Sequence, residues 1–196
     1  MYSLPNLLTI SRIVVIPLIF LSVYFDCCSF NYFAGVLFIA ASITDYYDGK
    51  LARARGEVSA FGRLLDPIAD KLLVATALVV FLAKGMVSEI SYIPIFVILC
   101  RELLVSGLRE FLREVNVGLP VTRLAKWKTG FQMVALGMIF FKGWLFWGAL
   151  GEMLLWIAGV LTFITGYQYF AKSLEYIKAE EKIKTDTNSQ ISKNKK

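Results

Sequence analysis

The chain has 196 residues and a formal net charge of +6, with 57% hydrophobic against 18% charged residues; its mean hydropathy is +0.62. Soluble domains carry about a quarter charged residues, so this composition excludes a disordered chain and argues against an ordinary soluble domain. A helical span needs about 20 residues, so a single membrane domain of six spans uses about 120 and leaves short loops. The chain has no histidine, which excludes a Ser-His-Asp triad, a Cys-His dyad and His-ligated zinc. Cys27, Cys28 and Cys100 show no metal-ligand spacing and cannot all pair, so they read as apolar filler and leave the redox compartment open.

Apolar stretches follow one another in chain order: about 4–25 with Arg12 inside it, 32–43 leading into Asp45 and Asp48, 64–84, 90–108 with Arg101 and Glu102 in its second half, 129–141, and 144–170. Several are shorter than a full span and run into polar sequence without a breaker. This predicts helices that project beyond a bilayer or face a wet cavity, because lipid does not tolerate irregular exposed backbone. Pro5 suits the first turn of a helix, where its missing N–H is not needed. No basic residue precedes the first apolar run and no A-x-A site follows it, so that run reads as a retained membrane helix. The fold class expected is an all-α integral membrane protein: six transmembrane helices over residues 1–175 around a polar cavity open to the cytoplasm. A Lys-rich cytoplasmic tail, 176–196, begins as helix and ends partly disordered. It reads as a solvated topology anchor, with contact to anionic lipid as the lesser alternative.

Basic residues set the orientation. Lys50, Arg53, Arg55 and Arg63 lie between the second and third runs. Arg109, Arg113, Arg123, Lys126 and Lys128 lie between the fourth and fifth, and seven lysines follow the sixth. The opposite turns carry only Lys84 and Lys142. The positive-inside rule therefore places both termini and both basic segments in the cytoplasm.

The chemistry concentrates in residues 45–70, DYYDGKLARARGEVSAFGRLLDPIAD. Asp45 and Asp48 are spaced i, i+3, and Asp66 and Asp70 i, i+4, so each pair shares a helix face. Carboxylates held together near a membrane repel, and divalent cations relieve that cost. With no histidine, an all-oxygen site is the metal site this chain can best supply. Gly49 and Gly62 admit close approach of a ligand, and Ala52 keeps the surface shallow. Arg53 offers a planar fork for phosphate oxygens, and Ser59 a hydroxyl donor. Ordinary interfacial charges would not need this combination.

The pattern Asp45-x-x-Asp48-Gly49-x-x-Ala52-Arg53, eight residues, then Gly62-x-x-x-Asp66-x-x-x-Asp70 resembles the signature of the CDP-alcohol phosphatidyltransferase family at all eight fixed positions. The six-run architecture is similar to that family as well. The resemblance implies that Asp45, Asp48 and Asp66 hold one or two divalent ions, Mg²⁺ or Mn²⁺, with Asp70 completing the second site and acting as general base. It implies that Gly49, Ala52, Arg53 and Ser59 meet the CDP moiety of CDP-diacylglycerol, and that Gly62 lets helices approach. It also implies a homodimer in the bacterial inner membrane. Substrates and membrane lipids, not nucleic acid, are the expected partners.

Acceptor choice should lie outside the shared motif. Arg101, Glu102, Ser106, Arg109, Glu110 and Arg113 follow in the fourth run and its extension, and Arg123, Lys126 and Lys128 open the fifth. A cationic pocket built from Arg101, Arg109, Lys126 and Lys128 suits an acceptor that is itself a phosphate ester. For the lysines the topology signal is an equal reading, and an Arg101–Glu102 or Arg109–Glu102 pair that only orders the helix is another. RELLVSGLREF at 101–111, KWKTGFQMVALG from Lys126 and PNLLTISRI at 5–13 are similar to the bacterial branch of that family that makes phosphatidylglycerol phosphate. Asn6, Thr9 and Arg12 recur every three residues and are expected to face the nucleotide. The resemblance thus implies transfer of a phosphatidyl group from CDP-diacylglycerol to sn-glycerol 3-phosphate, with CMP released. Cardiolipin or phosphatidylinositol phosphate synthesis is the rival within the family. A cation or proton transporter is the rival outside it, although a bare cation has no use for the Gly/Ala/Arg pattern beside the carboxylates.

Overall fold

The computed structural model describes residues 4–25, 28–55, 60–114, 123–144 and 146–194, with side chains over 9–25, 29–45, 62, 65–112, 124–144 and 146–177. Six α-helices follow in order: α1 Leu4–Leu21, α2 Cys28–Arg55, α3 Ala60–Ala83, α4 Tyr92–Glu114, α5 Arg123–Phe140 and α6 Trp147–Asn194. Short 3₁₀ turns occupy Ser22–Tyr24 and Glu89–Ser91, and no strand occurs among the described residues.

Each apolar run became a helix, and the polar extensions are helical too. α2 continues through the Asp45/Asp48 segment to Arg55, and α3 begins before Asp66. α6 runs on to Asn194, beyond the point where composition predicts a partly disordered tail. Lys and Glu are good helix formers, and Glu180 and Lys184 stand at i, i+4, the favourable order for an ion pair. Among the described residues two stretches are long and apolar enough to cross a membrane, Glu89–Leu112 and Trp147–Ile177. Thr9–Tyr24 is apolar but shorter. In α3 the described residues carry Asp66, Asp70 and Lys71 near one end of the apolar run.

α1 packs against α2 and α3, α4 against α6, and α5 packs against α6 and also meets α2 and α3. One large cluster of buried apolar side chains includes Phe38, Phe81 and Phe140. The Phe81 and Phe140 ring centroids lie 4.7 Å apart, edge to face, a favoured aromatic geometry. Gly159 lets α6 approach α4 closely, since a Cβ there would come within 2.7 Å of the Pro94 Cβ. The outer faces are apolar as well: Phe33, Val36, Phe96, Leu103, Val134, Val160 and Phe163 are all exposed.

The end of the bundle that holds the α3–α4 and α5–α6 turns is tied by charged side chains. Gly85 turns the chain after α3 with φ +56°, a conformation that suits glycine. Lys84 Nζ donates to the carbonyls of Ser22 (2.9 Å) and Phe25 (2.7 Å). Lys142 Nζ donates to the Gly85 carbonyl at 3.0 Å. Glu152 accepts from the Ser88 amide at 3.2 Å, from the Ser91 hydroxyl at 2.7 Å and from the Ser88 hydroxyl.

Candidate active site

Two groups of interacting charged and polar side chains lie toward the other end, near the starts of α1, α3 and α5 and in the later turns of α2, α4 and α6. One is acidic and the other basic.

The acidic group joins α1, α2 and α3. Arg12 is among the largest fully buried side chains, although it lies in the apolar body of α1. Its Nη1 is 2.7 Å from Asp45 Oδ1 and 3.4 Å from Asp70 Oδ1. Thr9, one turn earlier and 2% exposed, donates from Oγ1 to Asp66 Oδ1 at 2.6 Å. The i, i+3 spacing of Thr9 and Arg12 thus turns one face of α1 to the carboxylates. Asp70 is within hydrogen-bonding reach of Asp45 and in the electrostatic field of Asp66. The carboxylates remain open: the side chains of Asp45 and Asp70 are 35% and 52% exposed. Gly62 is buried on α3.

Among the described residues no group of three or more Cys, Asp or Glu side chains is arranged to hold a metal ion. The side chains of Asn6, Asp48, Ala52 and Arg53, the environment of Gly49, and Ser59 altogether lie outside the described residues. The donor set that is described is all oxygen. Among the described residues, one guanidinium set against Asp45, Asp66 and Asp70 leaves an excess of negative charge. That excess and the solvent-open oxygens fit a hard divalent cation.

The basic group joins α4, α5 and α6. Lys128 is 2% exposed and ion-pairs with Glu102. Arg101 Nη1 lies 3.5 Å from Glu102 Oε1, so the helix-ordering pair is real but at the limit of contact. Glu102 therefore neutralises Lys128 first. Arg109 Nη2 donates to the Tyr169 hydroxyl at 3.1 Å. The guanidinium carbons of Arg101 and Arg109 stand 5.7 and 5.0 Å from the centroid of the Tyr169 ring. Eight residues separate these arginines, about 12 Å of helix rise, yet their long side chains converge on one ring. Lys126 does not join them. It is exposed on α5 while Lys128, two residues on, turns inward. Buried Nε atoms of Arg101 and Arg109 have no hydrogen-bond partner, and unmet buried donors in a native fold call for a ligand or water.

Lys71 bridges the groups, donating from α3 to Ser106 Oγ on α4 at 2.5 Å. Sequence reasoning passed over Lys71 and Tyr169. Lys71 directly follows Asp70, a hint to its location, whereas Tyr169 sits in an aromatic run, GYQYF, with nothing to set it apart.

The family profile of the CDP-alcohol phosphatidyltransferases matches residues 2–164. A protein of Rickettsia felis named CDP-diacylglycerol–glycerol-3-phosphate 3-phosphatidyltransferase is 48% identical, with 89% of this chain and 97% of its own length covered. Proteins of the same name from Cereibacter sphaeroides and Haemophilus influenzae are 38% and 34% identical, covering 92% and 86% of this chain and 99% and 91% of their own lengths. With a profile match over most of its length, and relatives matched nearly end to end, the chain belongs to the CDP-alcohol phosphatidyltransferase family.

Proposed function

We propose that this protein transfers the phosphatidyl group of CDP-diacylglycerol to sn-glycerol 3-phosphate, giving phosphatidylglycerol phosphate and CMP. The observation that carries this reading is the 48% identity, over nearly the whole chain, to a relative named for that reaction. The paired clusters support it: carboxylates beside the shared motif, and cations where a phosphorylated acceptor would bind.

In this reading Asp70, half exposed, takes the proton from the primary hydroxyl of glycerol 3-phosphate. The freed oxygen attacks the phosphorus that carries diacylglycerol, the bond to the CMP oxygen breaks, and CMP leaves. No covalent enzyme intermediate is needed. Arg12 holds Asp45 and Asp70 in place from the buried side, and Thr9 fixes Asp66. Asp45, Asp48, Asp66 and Asp70 would together hold Mg²⁺ or Mn²⁺, two ions in our reading, which supply positive charge for the pyrophosphate and the departing CMP. Asn6, Gly49, Ala52, Arg53 and Ser59 would meet the CDP moiety. Arg101, Arg109 and Lys128 would hold the acceptor phosphate, with Lys126 at the outer edge.

The six helices span a membrane in this reading, with residues 176–196 as an appended tail. The exposed apolar faces on α2, α4, α5 and α6 support it. So do the exposed aromatics: Tyr24, Tyr92 and Trp144 near one end, Trp127 and Tyr167 toward the other. From Trp127 to the end of α5 at Phe140 the helical rise is about 20 Å, and Trp144 lies in the turn beyond it, a placement suited to interfacial belts. The positive-inside bias puts the site and both termini in the cytoplasm of a bacterial inner membrane, and a second copy of the chain is the expected partner within it.

The test is purified protein in detergent with CDP-diacylglycerol, Mg²⁺ or Mn²⁺, and a panel of glycerol 3-phosphate, inositol phosphate, serine, choline and phosphatidylglycerol. CMP and lipid product are both read. Release of CMP with glycerol 3-phosphate alone is the expected result. Equal or better use of another alcohol reassigns the acceptor, and no CMP with any of them defeats the enzyme reading.

A further inference from the structure

We propose that Tyr169 is a positioning residue for acceptor recognition: its ring and hydroxyl hold Arg101 and Arg109 together so that both guanidinium groups grip one phosphate. The inference rests on the acceptor pocket proposed above and adds α6 to it, a helix outside the shared Asp motif.

Two guanidinium groups brought near one another repel, and Glu102, which reaches Arg101 at only 3.5 Å, is engaged by Lys128. The electron-rich face of an aromatic ring attracts cations. The Tyr169 ring serves both arginines, at 5.7 and 5.0 Å, and its hydroxyl accepts from Arg109 Nη2. Tyr169 is itself 3% exposed and packed with Val105 and Ala125, so the ring is a fixed platform and not a mobile cover. Three residues earlier, Gly166 leaves room for the Arg101 stem; a Cβ there would stand 3.0 Å from Arg101 Cγ. α6 therefore offers a seat, Gly166-x-x-Tyr169, to an arginine of α4. What remains unmet is the donor capacity of the arginines: the Nε atoms of both are buried without a partner. A tetrahedral anion with several oxygens supplies acceptors for such a set. An uncharged or cationic alcohol does not, so the arrangement favours a phosphorylated acceptor over serine or choline.

The experiment is a two-substrate steady-state titration in detergent of wild type, Tyr169→Phe, Tyr169→Leu and Arg109→Ala. Tyr169→Phe keeps the ring and loses the hydroxyl, and the KM for glycerol 3-phosphate should rise about three- to tenfold. Tyr169→Leu loses both contacts, and that KM should rise about tenfold or more. In both variants the KM for CDP-diacylglycerol stays within about twofold, which a merely structural role would not produce. Equal rises in both KM values, or a fall in kcat alone, would overturn the positioning role. The Phe variant preserves the volume, so it decides the matter if the Leu variant does not fold. If Arg109→Ala raises the acceptor KM and neither Tyr169 variant does, the role of Tyr169 fails alone. If Arg109→Ala itself leaves the acceptor KM unchanged, the pocket reading fails with it.

Discussion

Charged side chains at the two ends of this bundle meet different fates. At the end that holds Gly85, Lys84 is taken up by two backbone carbonyls, Lys142 by a third, and Glu152 by the amide and hydroxyl groups of Ser88 and Ser91. These groups tie turns to helices, and the partners they need lie within the chain. At the other end the count does not close. Asp45 and Asp70 keep solvent-open oxygens around one buried guanidinium, and Arg101 and Arg109 keep buried Nε donors without acceptors. Lys and Glu occur at both ends, so residue type does not tell structure from function here. What differs is the kind of group left over: at the closed end the buried atoms without a partner are the neutral Ser22 hydroxyl and the Asn31 amide oxygen, whereas at the open end they include the Nε donors of two arginines, and an unmet charged group costs more than a neutral one.

The sharpest way to break this contrast is at the open end. Asp70→Asn keeps the shape and removes the base. Turnover should fall by about 10² to 10⁴ while CDP-diacylglycerol binding largely survives, read by single-turnover CMP release alongside equilibrium binding. Wild-type turnover in this variant would sink the base assignment. Next in size is Arg12→Ala, which removes the guanidinium that Asp45 and Asp70 share. Breaking a fully buried pair costs about 3–5 kcal/mol; the carboxylates left behind here are 35% and 52% exposed, so solvent screens part of that cost and the expected outcome is a smaller but clear loss of thermal stability in detergent. Arg12→Lys keeps the charge and should recover part of it. An unchanged melting profile for Arg12→Ala would show that the carboxylates do not depend on α1.

How much of this was readable beforehand divides along the same line. Helix positions were legible because each apolar run is bounded by charge, and the carboxylates because i, i+3 and i, i+4 spacing puts them on one face. The pairing of Arg12 was not, since Asp70 lies 58 residues away and no local pattern selects it over a nucleotide. Tyr169 was invisible for a different reason. Tyr167, two residues earlier, is chemically identical and 69% exposed, while Tyr169 is 3% exposed; only the packing of α6 on α4 tells them apart. Lys126 and Lys128 illustrate the same limit, since two residues on a helix turn the side chain by about 200° and send one outward.

A smaller effect is expected from Arg109→Ala. A hydrogen bond from a charged group is worth about 1.5–3 kcal/mol, so the KM for glycerol 3-phosphate should rise roughly ten- to a hundredfold, with the CDP-diacylglycerol KM changed no more than a few-fold. Arg109→Lys should restore part of this, because the charge returns without the planar fork. Steady-state titration of both substrates checks it, and equal losses for the two would merge the basic group with the donor site.

The smallest effect belongs to the closed end, and it is the one that tests whether the ends are separable. Glu152→Ala removes the acceptor shared by Ser88 and Ser91. Their hydroxyl oxygens already lie 3.0 Å apart, so one can donate to the other once the carboxylate is gone. The Ser88 amide lies in an exposed contact, and water can replace the lost acceptor there. The net cost should then be near that of a single hydrogen bond, about 1 kcal/mol, or about 2–4 °C in Tm for a chain of this size. Both KM values and kcat, measured well below the transition, should match wild type, since Glu152 sits at the opposite end of the bundle from every group assigned to the reaction. A raised acceptor KM in Glu152→Ala would mean that the turns at the closed end set the spacing of α4 and α6 at the open one, and that the arginine seat is held from both ends.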